Sequence, residues 1–329
     1  MFKSNVPVHI TNKIGHKLHN KQNHPIQIIK KHIQNILLTL NNELIIYDDL
    51  DPLVTVEDNF DNLLIPINHP SRSFSDTYYV DESHVLRTHT TAHQYKLLES
   101  GIYNFLVTGD VYRKDEIDKY HYPIFHQMEG VMKLVKSDNK NYKDIINNIL
   151  GTLVTKLFPN NEYRILDDYF PFTEHSYEIE VFLTDRDKWL EVLGCGFIHN
   201  EIKNKLNLDP NYEYLAFGLG LDRLAMVLFN IPDIRYLWSS DKEFIDQFKT
   251  GEIEKIVFKT YSTLTKIHKD IAFYLDNDRI DGINNWLDEN NFFEMVRNIC
   301  GDSIESVELK DEFHNIKKNL VSRMYRLTF

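Results

Sequence analysis

Residues Gly109–Gly130 read GDVYRKDEIDKYHYPIFHQMEG, two apolar strand-like segments joined by a polar loop. Val111, Tyr112 and Arg113 precede the loop, and Ile124 to Glu129 follow it. Successive side chains of a strand point to opposite faces, so Phe125, Gln127 and Glu129 share one face. Arg113 and Asp115 can join that face across the loop. One surface of such a hairpin then carries an arginine, two acids and an amide. It suits a ligand with a negative and a positive end, such as a nucleotide phosphate beside an amino acid's ammonium. A solvated surface hairpin is equally compatible with these residues taken alone.

The remainder of the chain narrows the choice. At 329 residues, 42% hydrophobic and 12% aromatic, it can bury large cores and most naturally forms two domains. No uninterrupted apolar run reaches membrane-spanning length, so no membrane association is expected. Its two cysteines, Cys195 and Cys300, argue against a disulfide framework or a cysteine-rich zinc site and fit a reducing compartment. A net charge of −12 excludes general polyanion binding and confines any nucleic-acid contact to a local patch. One such patch is the N-terminal segment, where Lys3, Lys13, Lys17, Lys21, Lys30 and Lys31 precede the first acid, Glu43. It reads as a targeting remnant, as an arm touching RNA phosphates, or as a plain solvated charge run.

Apolar spacing from Pro25 to Leu40 predicts an amphipathic helix with proline in its first turn. Asp76–Val80 reads as a strand, and His93–Ser100 as a helix ended by Gly101. Lys143–Phe158 has helical spacing. Strands are predicted at Tyr163–Phe172, Tyr177–Leu183, Trp189–Phe197 and Tyr214–Gly220, the last running into a helix at Leu221–Phe229. Hairpin-linked strands imply an α+β fold with a mostly antiparallel sheet. No GKS or GKT phosphate loop is present, and Gly218-Leu219-Gly220 alone is too short for a dinucleotide fingerprint. Asp241–Lys255 reads as a linker to a second domain, with strands at Asp270–Leu275, Ile304–Phe313 and Val321–Phe329 and a helix at Gly282–Ile299.

Taken together, these segments resemble the single-chain organellar phenylalanyl-tRNA synthetases, which are class II aminoacyl-tRNA synthetases. NFDNLLIPINHPSRSFSDTYYV (Asn59–Val80), the Gly109–Gly130 hairpin and AFGLGLDRLAM (Ala216–Met226) resemble the three class II signatures, in order. RTHTTAHQ (Arg87–Gln94), FPF (Phe170–Phe172) and IPDIR (Ile231–Arg235) lie where that family has them. The resemblance implies a class II antiparallel sheet flanked by helices over 46–240, preceded by a basic segment and helix at 1–45. Residues 241–255 would be the linker and 256–329 a ferredoxin-like anticodon-binding module.

It also implies chemistry: activation of L-phenylalanine by ATP with Mg²⁺, then transfer to tRNA(Phe). Activation brings two anions together, so a permanent cation at the α-phosphate cancels repulsion and stabilises the transition state. Arg113 matches the family's arginine for that role, and its fork can hold two oxygens where lysine cannot. Arg223 matches the arginine that packs on ATP from the start of the third-signature helix. Asp115, His126, Gly218 and Gly220 are expected beside the nucleotide. His89, Thr91, Gln94, Gln127 and Glu129 are expected at the amino acid's carboxylate and ammonium. Phe170 and Phe172, sharing a strand face, would flank the ring, with Gly194, Gly196 and Ala216 leaving it room. From the residues alone, Phe170 and Phe172 read as ordinary core. Glu174 and Glu180 are the expected Mg²⁺ carboxylates.

The resemblance further implies a monomer in the mitochondrial matrix, with a plastid as the alternative. A departure concerns the C-terminal module, which in this family is β-α-β-β-α-β. Here the sequence ends in its third strand, so Ile271–Leu275 is expected to be left exposed, with the basic N-terminal arm as a conceivable cover. The competing reading is a non-catalytic descendant that binds RNA or a partner.

Overall fold

The computed structural model describes residues 3–136, 141–249, 253, 256–259, 266–281, 285–315 and 320–329. Its centre is a seven-stranded sheet of Ile45–Tyr47 (β1), Phe105–Tyr112 (β2), Ile124–Val135 (β3), Tyr163–Asp167 (β4), Thr173–Leu183 (β5), Lys188–Ile198 (β6) and Tyr212–Gly220 (β7). The spatial order is β1-β2-β3-β7-β6-β5-β4. Only the β1–β2 pair is parallel, so the sheet is mostly antiparallel as expected. This α+β arrangement follows from period-two apolar patterning: Tyr177, Ile179, Val181 and Leu183 of β5 all turn into the core.

Helix α1, Pro25–Leu40, covers the core face of the sheet. His24 caps it, accepting from the Ile26 N–H, and Pro25 occupies the first turn. Ile26, Ile29, Ile33 and Leu37 are fully buried in the core that also holds Leu221, Leu224 and Ala225 of α3, Leu221–Leu228. The short helix α2, Gln94–Glu99, ends as expected at Gly101, whose φ of +77° suits glycine. No helix among the described residues is long and apolar enough to cross a membrane.

Three local expectations change. Asp76–Val80 is not a strand: only Tyr79 bridges to Val85, and Tyr78 and Tyr79 are buried as loop residues. The strand expected over Tyr163–Phe172 stops at Asp167, and Phe170–Phe172 forms a turn closed by Thr173 N–H to the Phe170 carbonyl at 3.1 Å. The helix over Lys143–Phe158 carries a π-turn at Asn147–Gly151. There Tyr163 Oη donates to Asn147 Oδ1 at 2.6 Å, and a Cβ on Gly151 would meet both groups at 2.8 Å.

In the C-terminal region, His268–Tyr274 (β8), Ser306–Asn315 (β9) and Leu320–Thr328 (β10) form an antiparallel sheet ordered β8-β10-β9. Helix α4, Glu289–Cys300, packs on it through Phe292, Phe293 and Val296. The helix starts later than expected, because Asn285–Trp286 pairs with Ile280–Asp281; residues 282–284 lie outside the described set. Ile271 is 37% exposed on the edge strand, whereas Leu275 is buried, its N–H bonded to the Val321 carbonyl at 2.8 Å. Within 241–255, Phe244 and Phe248 are buried in the main core.

Among the described residues, the contacts that the basic N-terminal arm makes through His9 and Lys13 run to α4 and its C-terminal turn rather than to the β8 edge. His9 contacts Asn298 Oδ1 and Glu294 Oε1, each at 2.9 Å, and Lys13 pairs with Asp302 at 2.7 Å. It thus straps α4 to the body of the protein. Lys17 pairs with Asp49 and Lys30 with Asp48, so Lys13, Lys17 and Lys30 already have carboxylate partners inside the chain.

Candidate active site

The open face of the sheet carries the site. Strand β3 turns Gln127, Glu129 and Val131 to this face, and its neighbour β7 has little bulk there. On β2 they face Gly109, Val107 and Phe105; on β7 they face Gly220, Gly218 and Ala216. Gly194 of β6 lies beside Gly218. Small residues across adjacent strands leave a hollow over the sheet, because side chains stand perpendicular to it.

A cavity of about 320 Å³ occupies this hollow. Its polar rim is His89, Thr90, Thr91, Gln94, Arg113, Gln127 and Glu129; its apolar end includes Val131, Phe170, Phe172 and Ala216. Polar atoms on the rim, Gln94 Nε2 and Gln127 Oε1 among them, are buried with no hydrogen-bond partner among the described residues. Buried polar groups are normally satisfied, so their convergence on one cavity marks a place for a polar ligand. Burial pushes the Glu129 carboxyl up to about 7, against hydrogen bonds from Thr91 and the nearby Arg113 charge that favour its anion. Burial, with the Arg113 charge, lowers His89 to about 3, so its ring is neutral at pH 7 and offers one donor and one acceptor.

A second cavity of about 360 Å³ adjoins the first and shares Arg113, Gln127, Glu191 and Gly218 with it. It is otherwise lined by Asp115, Phe125, Gly220, Asp222 and Arg223, among others. Arg113 sits over the Phe125 ring at 5.4 Å and donates Nε to the Thr88 carbonyl at 2.7 Å, which fixes its fork between the two cavities. A Cβ on Gly220 would meet nothing within 4 Å, and one on Gly218 would press on Glu129 Cγ at 3.0 Å.

Most of the expected site residues therefore converge on these two cavities. Four do not. His126 lies on the opposite face of β3, fully buried; its N–H donates to Asp222 Oδ2 at 2.5 Å and its ring nitrogen lies 3.2 Å from the same carboxylate. The β3–β7 pairing ends at Gly220, so Asp222 supplies the acceptor that the strand no longer provides. Gly196 faces Thr173 and Ser176 rather than the ring cavity, and a Cβ there would lie 2.8 Å from Thr173 Cβ. Glu174 holds Asn200 at 2.7 Å, and Glu180 holds Arg164 at 2.5 Å; neither lines either of these two cavities.

Glu191 and Thr90 were not anticipated. Strict alternation puts Glu191 on the core face of β6. A bulge at Val192, where Ile179 pairs with Leu193 but Glu180 with Glu191, rotates it onto the face of Gly194. Thr90 sits inside RTHTTAHQ, in a 3-10 turn whose facing no strand period reveals.

Phe170 and Phe172, although in a turn, both reach the cavity, with ring centroids 6.0 Å apart. Gly194 makes their placement possible, since a Cβ there would lie 2.7 Å from Phe170 Cζ. Gly194→Ala is expected to displace Phe170 and raise the KM for the amino acid about tenfold, the scale of overpacking a tight site. Steady-state kinetics with each substrate varied checks this, and an equal rise in the KM for the nucleotide would contradict it.

Comparison with known proteins gives the family. A family model for the class II core domain (F) of tRNA synthetases matches residues 7–248. The chain is 47% identical over 335 residues to the chloroplastic/mitochondrial phenylalanine–tRNA ligase of Arabidopsis thaliana, covering 99% of this chain and 75% of that one. It is 38% identical over 382 residues to the mitochondrial phenylalanine–tRNA ligase of Dictyostelium discoideum, covering 99% and 82%. Among solved structures, the pyrrolysyl-tRNA synthetase of Desulfitobacterium hafniense shares the fold, with a TM-score of 0.51 at 14% identity over 69% of this chain and 77% of that one. On the family match and on the identity carried across nearly its whole length, the chain belongs to the organellar phenylalanine–tRNA ligases of the class II tRNA synthetases.

Proposed function

We propose that the chain activates L-phenylalanine with ATP and transfers the phenylalanyl group to tRNA(Phe) in the mitochondrion. Class II synthetases use ATP as a substrate, and the relatives named above are mitochondrial or chloroplastic ligases. The single observation that carries the reading is the pair of cavities meeting at Arg113. The first offers Glu129 to an ammonium, neutral donors to a carboxylate and two aromatic rings to an apolar side chain. The second offers Arg223, Phe125 and open glycine backbone to a nucleotide. A carboxylate from one cavity and a phosphate from the other would meet beside the guanidinium of Arg113, where charge builds during the displacement.

Mg²⁺ accompanies ATP in this chemistry and neutralises the leaving pyrophosphate. Glu191, at the junction of the cavities, fits as its carboxylate. Glu178 stands near it: burial first, then the charges of Glu191, Glu180 and Asp168, raises its carboxyl. Such mutual repulsion is what a divalent cation relieves. The resemblance to single-chain enzymes is the support for a monomer.

The test is phenylalanine-dependent ATP–pyrophosphate exchange by the purified chain without tRNA, followed by charging of mitochondrial tRNA(Phe). Exchange and charging are both expected. Folded protein that supports neither would favour a non-catalytic descendant. A cavity shaped for a bare ring rejects an added hydroxyl only by roughly 10²-fold, so slow tyrosine-dependent exchange is expected as well. Discrimination beyond about 10⁵ would contradict that expectation.

A further inference from the structure

The loop that follows Arg113 is gripped from outside its own hairpin. Arg297 of α4 donates Nη2 to the Glu116 carbonyl. Val307 N–H of β9 donates to the Ile117 carbonyl at 2.9 Å, and Ile234 N–H donates to the Lys119 carbonyl at 2.9 Å. The Ile117 side chain, 4% exposed, is part of the C-terminal core with Phe292, Phe293 and Val296. Arg235 ties the grips together, donating Nη1 to the Ile304 carbonyl at 2.8 Å while chelating Asp233. Arg297 is buried, and its other terminal nitrogen, Nη1, has no hydrogen-bond partner among the described residues.

This is an unusual use of a buried arginine. A guanidinium taken out of water is costly unless its donors are matched. Here one terminal donor goes to the carbonyl of Glu116, one residue after Asp115 and three after Arg113, not to its own module. The loop is polar and lacks a ladder of its own between Lys114 and Pro123, so these outside contacts supply the order that strand pairing would otherwise provide.

We propose that the C-terminal module is a working part of the activation site, with Arg297 as a positioning residue. By holding the Glu116–Lys119 backbone, it sets where Asp115 and Tyr120 stand in the second cavity against the nucleotide. This rests on the reading of the second cavity as the ATP site. When the grip is lost, the loop must be ordered at the expense of ATP binding energy, and apparent affinity falls with the fraction of competent loop. The phenylalanine contacts are spared, because His89, Thr91, Gln94 and Glu129 come from the sheet and from the turn before α2.

The experiment is tRNA-free ATP–pyrophosphate exchange by the full chain, comparing wild type with Arg297→Gln and Ile117→Ala. Arg297→Gln is expected to raise the KM for ATP about tenfold, the scale of one lost charged hydrogen bond; Ile117→Ala is expected to raise it by a similar factor through the core packing it removes, and both leave the KM for phenylalanine within about twofold. A merely structural role would reduce the active fraction, lowering apparent kcat with both KM values unmoved, and that result overturns the proposal. If Arg297→Gln does not fold by circular dichroism, Ile117→Ala decides by the same criterion. Absence of exchange in the wild type would overturn the proposed function itself; wild-type exchange with an unmoved KM for ATP overturns this inference alone.

Discussion

Arg113→Ala is expected to reduce phenylalanine-dependent ATP–pyrophosphate exchange by about a thousandfold, the scale at which a preorganised charge at a reacting phosphate contributes. The expectation comes from position. Arg113 lines both cavities, and its Nε bond to the Thr88 carbonyl keeps the fork aimed without help from a ligand. Its partial burial raises the effect, since water there cannot replace a lost charge as it would at an exposed position. Most of the loss should fall on kcat, because the charge it stabilises develops in the transition state. Arg113→Lys should recover little, since an ammonium lacks the fixed fork. Exchange within threefold of wild type in a folded Arg113→Ala protein would remove Arg113 from the chemistry.

Glu129→Gln is expected to lower kcat/KM for phenylalanine about a hundredfold while leaving the KM for ATP near its wild-type value, as when one partner of a desolvated charge pair is neutralised. Glutamine keeps the shape and the capacity to accept from Thr91, so the missing term is the charge opposite the substrate ammonium. The same group predicts a pH dependence. Burial raises its carboxyl to about 7 in the free protein, so below that pH it is protonated and cannot pair with the ammonium. The KM for phenylalanine should therefore fall as pH rises through about 7, and that limb should vanish in Glu129→Gln. A pH profile that is flat for wild type across this range would place the ammonium elsewhere.

Where the chain is regular, its facing was legible from residue order. Gln127 and Glu129 on β3, and Ala216, Gly218 and Gly220 on β7, lie in uninterrupted strands, and a period of two carries each of them to the open face. His126 belongs to the other face by the same rule. The family resemblance places it beside the nucleotide, whereas strand parity turns it into the core. Glu191 shows the opposite limit. One extra residue at Val192 shifts the phase of β6, and nothing local in WLEVLGCG announces it. Phe170 and Phe172 reached the ring cavity as expected but from a turn, where strand parity has no meaning.

The residue pattern alone settled the class of fold and the facing of its long strands, because alternation and turn residues act over a few positions and do not depend on the rest of the molecule. Tertiary structure alone decided how distant segments close on that site. The arm carrying His9 and Lys13 reaches α4 across nearly the whole sequence, and Arg297 reaches the Glu116 carbonyl from 181 positions away. Such contacts rest on which surfaces meet once the core has formed. Their charges and carbonyls are ordinary in sequence and become specific only when burial removes the water that would otherwise satisfy them.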